Sequence, residues 1–248
     1  MKTLHITNGD GAAGILKASE VPGDVLPWRD PMHHGPFPAG LSVDDLRKVR
    51  ARYLVGPGQD PNEAIRDFRL RDEHLQAAKQ YNRIILWFEH DLLDQLQILQ
   101  ILDALSTTDP EETVLEMICI NSFPGFDTFR GIGQLTPTQM GSLMDQRKPV
   151  TPDVLDLARE GWQAFRSDDP RHLAAYCDND LQCLPFLRAA LLRHFAEYPS
   201  VQNGLTRTES QILRLVQDGV HAPQQLFVQN MDQEAALYIG DWRTYAVI

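Results

Sequence analysis

The chain has 248 residues, 43% of them hydrophobic and 23% charged, which is ordinary globular usage and enough for a substantial core. Its 23 Lys and Arg against 34 Asp and Glu give a formal charge of -11, so the surface on average repels nucleic acid and broad non-specific DNA binding is disfavoured. No apolar run approaches the roughly 20 residues of a membrane helix, and the first residues enter a strand pattern without a secretory leader; both point to a cytoplasmic protein.

The first half reads as alternating strands and helices. Thr3–Thr7 is a short strand, Asn8-Gly9-Asp10-Gly11 a turn, and Ala12 to Glu20 a helix. Asp24 to Trp28 is a second strand whose Pro27 marks an end or an edge. Ser42, with Asp45 three residues on, starts a helix over Leu46 to Leu54, which the Pro57-Gly58 region ends. Another helix covers about Asn62 to Tyr81. The unbroken apolar run Arg83 to Phe88 suits a strand buried on both faces. Asp91 to Leu105 follows as a helix and Thr113 to Ile120 as a strand.

After about Gly125 the pattern is helical. Thr136-Pro137-Thr138-Gln139 places Thr at the N-cap, Pro at the first helical position and Gln at N3. Further helices are expected from Thr151-Pro152-Asp153 through Phe165, over Pro170 to Tyr176, and over Leu181 to Tyr198. Thr206-Arg207-Thr208-Glu209 is a capping box, and the helix after it ends at Asp218-Gly219. The expected fold is therefore α/β: a Rossmann-like, mainly parallel sheet with flanking helices over residues 1–125, then a helical domain over residues 126–248 with a helix-turn-helix-like segment. From Val201 to Ile248 three basic residues stand against five acids, too little positive charge for a DNA reader. Nucleic acid is thus a poor partner, and packing, a lid or homodimer formation is the better role for this region.

The three cysteines, Cys119, Cys177 and Cys183, lack the spacing of a disulfide framework or a zinc knuckle. Between Arg47 and Arg83, nine basic residues face five acids, a local net of +4. The ordinary reading is a solvated helical surface, and the sharper one a patch that faces phosphate.

Each strand of the first half ends in polar residues: Asn8-Gly9-Asp10, Arg29-Asp30 followed by His33-His34, Glu89-His90-Asp91, and Asn121-Ser122. In a parallel sheet these ends share one edge, where open α/β folds bind ligands. On that reading Asn8, Gly9, Asp10, Arg29, Asp30 and Asn121 bind the ligand. His34 and His90 move protons because imidazole titrates near neutrality, and Glu89 or Asp91 orients the ring. The oxygen donors of Asp10 and Asp30 suit a divalent metal, the one cofactor these residues suggest. Asp91 equally suits a helix N-cap. Gly9-Asp10-Gly11-Ala12-Ala13-Gly14 matches the dinucleotide fingerprint formally, but Asp10 inside the loop opposes a pyrophosphate. A phosphorylated or nucleotide-like small molecule is the expected ligand. No nucleophile elbow or P-loop is present. Two function classes remain: a metal-assisted hydrolase or group-transfer enzyme, or a non-catalytic ligand-sensing module whose helical half contacts a protein partner or DNA.

Leu4 to Asp10, Trp28-Arg29-Asp30 with His34-Gly35-Pro36, and Leu86-Trp87-Phe88-Glu89-His90-Asp91-Leu92 with Asp94-Gln95-Leu96 together resemble the bacterial DUF1835 family. Phe129-Arg130-Gly131-Ile132-Gly133, Pro199 to Glu209 and Gly240-Asp241 are similar to the C-terminal region of the DUF3658 type. The resemblance spans nearly the whole chain. It implies a pattern that keeps Asn8, Asp10, Asp30, Glu89, His90 and Asp91 together, and Ser where this chain has Gly11, which weakens the dinucleotide reading. It implies no activity and assigns no catalytic residue.

Overall fold

The structure, a computed structural model, describes residues 2–107 and 113–248. In chain order its elements are β1 (Thr3–Thr7), α1 (Asp10–Ala18), β2 (Asp24–Pro27), α2 (Val43–Val55), α3 (Asn62–Gln76), β3 (Arg83–Glu89), α4 (Leu92–Ser106) and β4 (Val114–Ile120). Then follow α5 (Pro137–Ser142), β5 (Lys148–Pro149), α6 (Pro152–Phe165), α7 (Pro170–Tyr176), α8 (Leu187–Phe195), α9 (Arg207–Gln217), α10 (Pro223–Met231) and α11 (Asp241–Val247).

The five strands form one sheet in the order β2-β1-β3-β4-β5. The first four run parallel. β5 lies antiparallel on the edge, pairing Lys148 with Met117 and Pro149 with Glu116, a place where proline costs the sheet little. From β1 the chain steps outward to β2, then crosses back to β3 on the other side of β1. The direction of winding therefore reverses between β1 and β3, and the C-terminal ends of these two strands flank the reversal. Ligand crevices of open parallel sheets form at such a point.

Alternation along the strands divides the core. Leu4, Ile6, Ile84, Leu86 and Phe88 belong to one cluster, with Leu96 and Leu99 of α4, Ala158 and Trp162 of α6, and Leu187 and Leu191 of α8. Ile85, Trp87, Ile118 and Ile120 face the other way, onto Ala12 and Leu16 of α1 and onto Phe129, Ile132, Leu135 and Met140. Central strands covered on both faces need to be apolar throughout, which explains the unbroken run in β3. Among the buried polar residues of these strands is His5, which is fully buried. Trp87 Nε1 donates to its Nδ1 at 3.0 Å, so Nε2 carries the proton and meets the Pro22 carbonyl at 3.2 Å. Burial lowers its pKa, the ordinary response of a cation that cannot be hydrated.

Elements on both sides of residue 125 share the sheet and the two clusters that cover it. Residues 129–144 cover the same sheet face as α1, β5 extends the sheet, and α6 and α8 share the cluster that holds Leu4 and Leu86. The helix expected from Leu181 begins only at Leu187, since Pro185 suits an entry and not an interior. Elsewhere the capping chemistry is as the sequence implies: Ser42, Asp91, Thr136 and Thr206 each accept the N3 amide of the helix they open. No described helix is long and apolar enough to cross a membrane.

Candidate functional site

Three carboxyl groups meet where the winding reverses. Glu89 is the last residue of β3, Asp91 the N-cap of α4, and Asp94 lies in the first turn of α4. All three are buried, and each offers an oxygen within 4.8 Å of the others. This is the one group of three potential metal-ligating side chains found among the described residues. None of the three forms an ion pair with a described cation.

Neutral donors hold the cluster. Asn8, at the end of β1, gives its amide to both oxygens of Asp94 at 3.1 Å. The Glu89 amide donates to Asp94 Oδ1 at 2.8 Å, and the Asp94 amide to Asp91 Oδ1 at 2.9 Å. Glu89 Oε2 accepts the backbone N–H of Ile132. Gln95 donates to the Glu89 carbonyl at 2.7 Å, fixing the strand's last peptide. Asp94 and Asp91 are thus occupied by local donors, whereas Glu89 also lines a cavity.

Burial dominates the electrostatics. Loss of hydration, reinforced by the neighbouring Asp91, pushes the Glu89 carboxyl up to about 8. Asp91 is raised by burial, and Asp94 well above the usual carboxylate range by burial together with Glu89 and Asp91. Three acids in so small a volume cannot all ionise without a counter-charge, so the cluster holds protons or a cation.

The cavity beside Glu89, 260 Å³ in volume, is bounded by Asn8, Gly9, Gly11 and Ala12 on one side and by Arg130, Gly131, Gly133 and Gln134 on the other. The first α-helical bond of α1 runs from the Ala13 amide to the Gly9 carbonyl, and no side chain caps the helix. The amides of its first turn therefore lack intrahelical acceptors. Across the cavity, Arg130 donates to Asp232 at 2.5 Å and lies 3.8 Å from the Met231 sulfur, tying this wall to the end of α10.

The expected site residues divide into those the structure assembles and those it separates. Asn8, Gly9, Glu89 and Asp91 come together. Asp10 is exposed at the start of α1 and is clasped by Arg29, whose Nε and Nη2 approach it at 2.8 Å. That guanidinium lowers the Asp10 pKa. Asp30 is turned inward, 2% exposed, with Arg50 Nη2 at 2.6 Å. Asp10 and Asp30, expected to share a metal, are each neutralised by a different arginine and lie outside the three-carboxyl cluster. His34 packs against His33 and Tyr53, and its carbonyl accepts Arg50 Nη1 at 2.9 Å. His90 stands beside the cluster in sequence, yet its ring packs on Phe129 and Phe186 with Nε2 3.4 Å from the Ala235 carbonyl. Asn121 is exposed at the end of β4.

Asp94, Arg130 and Gly131 complete the site and were not expected there. Asp94 could have been found: an acid one helical turn after an N-cap acid faces the same end of the helix. Arg130 and Gly131 carry no local signal, since they reach the sheet edge through a loop distant in sequence. Cys119, expected in the core, has its thiol pushed up by burial and is in contact with Gln95 at 3.4 Å, which is no setting for a nucleophile. Comparison of the chain with protein-family models and with curated proteins gives no match.

Proposed function

We propose that the protein is an enzyme that binds a phosphorylated small molecule in the cavity between the start of α1 and the Arg130-Gly131 loop, and carries out hydrolysis or group transfer with Glu89 as the proton-transferring group. The observation that carries this reading is the placement of Glu89: a buried carboxyl, held by the Ile132 amide, that opens on a cavity at the reversal of the sheet. A carboxyl raised to about 8 is largely protonated at neutral pH and serves as a general acid, then as a base once it has given up its proton. The uncapped amides of α1 and the Arg130 guanidinium supply the positive field that a phosphate seeks. His34 and His90 do not line this cavity, so in this reading the proton-transfer role falls to Glu89.

A second reading is favoured by the convergence of three carboxylate oxygens within 4.8 Å. A divalent cation bound by Glu89, Asp91 and Asp94 would replace the protons and act as a Lewis acid on the phosphate. Around either site, the strand order supports a doubly wound, Rossmann-like description. The contact between α9 and α10, which follow each other in the chain, supports a helix-turn-helix-like docking element in place of a DNA reader. The free cysteines agree with a cytoplasmic, reducing setting. The bacterial DUF1835 resemblance agrees in grouping Asn8, Glu89 and Asp91.

The test is a panel of phosphate monoesters and nucleotides, read first by thermal shift and then by phosphate release. The expected result is stabilisation by at least one member, turnover lost in Glu89→Gln with binding retained, and weaker binding in Arg130→Ala. Stabilisation without turnover across the panel would replace the enzyme by a ligand-sensing module. Stoichiometric Mn²⁺ binding to the wild type that Asp94→Asn abolishes selects the metal reading over the proton reading.

A further inference from the structure

A second cavity, of 320 Å³, lies away from the carboxyl cluster, enclosed by α2, α3, α4 and α6. Its walls carry Arg47, Arg50, Arg71 and Arg166 and three acids, Asp30, Asp72 and Asp103. The first three of these arginines come from the +4 stretch of the sequence. The remaining surface is largely apolar, with Leu46, Phe68, Leu75, Ala104 and Trp162.

The ion pairs leave one of the four guanidinium groups without a carboxylate of its own. Asp30 is committed to Arg50 at 2.6 Å. Asp72 is shared by Arg47 and Arg71, both at 2.7 Å, and Arg47 also pairs with Asp44 at 2.5 Å. Arg166 has no carboxylate within ion-pair distance among the described residues, and Asp103, an acid whose charge acts on it, has its own pKa raised by burial. Arg166 is thus the one guanidinium of the four without an ion-paired carboxylate among the described residues, and guanidinium groups do not deprotonate in proteins.

The geometry of Arg71 is more specific. Its side chain is 9% exposed, and its guanidinium lies 4.0 Å from the Trp28 ring centre and 4.8 Å from that of Phe68. Asp72 occupies Nε and Nη2, whereas Nη1 is buried without a hydrogen-bond partner. Arg166 Nε is buried in the same state, while its Nη2 donates to the Pro38 carbonyl at 2.7 Å. A buried, charged N–H with no acceptor costs free energy that one anionic oxygen restores.

We propose that this cavity is a binding site for a small organic oxyanion, a carboxylate or phosphate monoester on an apolar or aromatic body, whose charged end takes the open N–H groups of Arg71 and Arg166. The apolar lining receives the body of the ligand, in the usual division of labour of small-molecule pockets. The site is separate from the cavity beside Glu89 and stands whether or not that cavity is catalytic.

The test titrates benzoate, phenyl phosphate and inorganic phosphate into the full chain by calorimetry. The expected result is saturable, one-to-one binding of benzoate or phenyl phosphate that is tighter than that of inorganic phosphate. Arg71→Met should weaken it by at least about tenfold, the scale of one lost charge-assisted hydrogen bond. Ala104→Phe, which adds bulk to the cavity wall at a residue that itself makes no ion pair, should abolish binding while the protein keeps its cooperative unfolding. Arg130→Ala, which alters only the other cavity, should leave the affinity unchanged. Benzoate against phenyl phosphate decides which oxyanion is preferred. Absence of binding by either, or binding that survives Ala104→Phe, overturns the proposal.

Discussion

Gly131 lies against the Glu89 carboxyl so closely that no side chain fits between them: a Cβ built on this glycine overlaps the Glu89 carboxyl oxygens. Its φ of 147° is also one that L-residues avoid. Both conditions arise because the loop presents the next amide, that of Ile132, to Glu89. Gly131→Ala is therefore expected to lose about 2 kcal/mol or more through strain and overpacking together. The shift of the urea midpoint measures it. An alanine variant as stable as the wild type would show that the loop is free to retreat, and Glu89 would then lack its fixed donor.

Stability should fall as pH rises. Glu89 has a folded pKa near 8 against an unfolded value near 4.5, so between these limits the folded state holds a proton that the unfolded state has released. The contribution is whole below about pH 4.5 and is lost as pH climbs through about 8, with a slope of up to about 1.4 kcal/mol per unit. Asp91 and Asp94 shift in the same direction and add to the trend. Glu89→Gln cannot ionise and should flatten part of the slope, gaining on the wild type most clearly under alkaline conditions. Thermal midpoints of both proteins across this range decide the matter, and parallel curves would mean that Glu89 is not the titrating group.

Asp30 has a structural role. Its carboxylate and the Arg50 guanidinium are each 2% exposed, and Arg50 also donates to the His34 carbonyl and lies 3.9 Å from the Phe37 ring centre. Asp30→Ala strands a buried guanidinium and is expected to cost about 3–5 kcal/mol. Asp10→Ala removes only an exposed partner of Arg29, and the expected loss is under about 1 kcal/mol. Chemical denaturation of the two variants should therefore separate widely. Equal losses would contradict this division between inner and outer aspartates.

Alternation and capping made most elements of the first half legible. The run Arg83–Phe88 announces a central strand because only a strand covered on both faces tolerates so little polarity, and Thr136 and Thr206 announce helices because their side chains have a local amide to accept. What the sequence hides is long-range pairing. Lys148-Pro149 carries no strand signal, since its edge position depends on β4 alone. The polar strand ends do lie on one rim in part, as Asn8 and Glu89 show. Yet Asp30 lies three residues beyond the end of β2, far enough for its side chain to turn inward to an arginine of α2. That choice depends on where Arg50 stands, which no local pattern encodes. The same reason hid Arg130 and the division of the +4 stretch into paired and open guanidinium groups.

Asn8 ties the end of β1 to the first turn of α4, and its replacement reports on the charge state of the cluster. Its amide donates to both oxygens of the buried Asp94 carboxyl, which stabilises the ionised form over the protonated one. Asn8→Ala removes these donors and is expected to cost about 1–3 kcal/mol where Asp94 is ionised. Where Asp94 is protonated the deficit should shrink, because a neutral carboxyl needs less from the amide. The loss relative to wild type should accordingly grow with alkalinity, with urea midpoints at one mildly acidic and one alkaline pH as the comparison. A bound divalent cation, competing for the same oxygens, should narrow the difference at the higher pH if the three carboxyls hold it. A deficit that is the same at both pH values would mean that Asn8 supports the fold by packing alone, with no bearing on how Asp94 is charged.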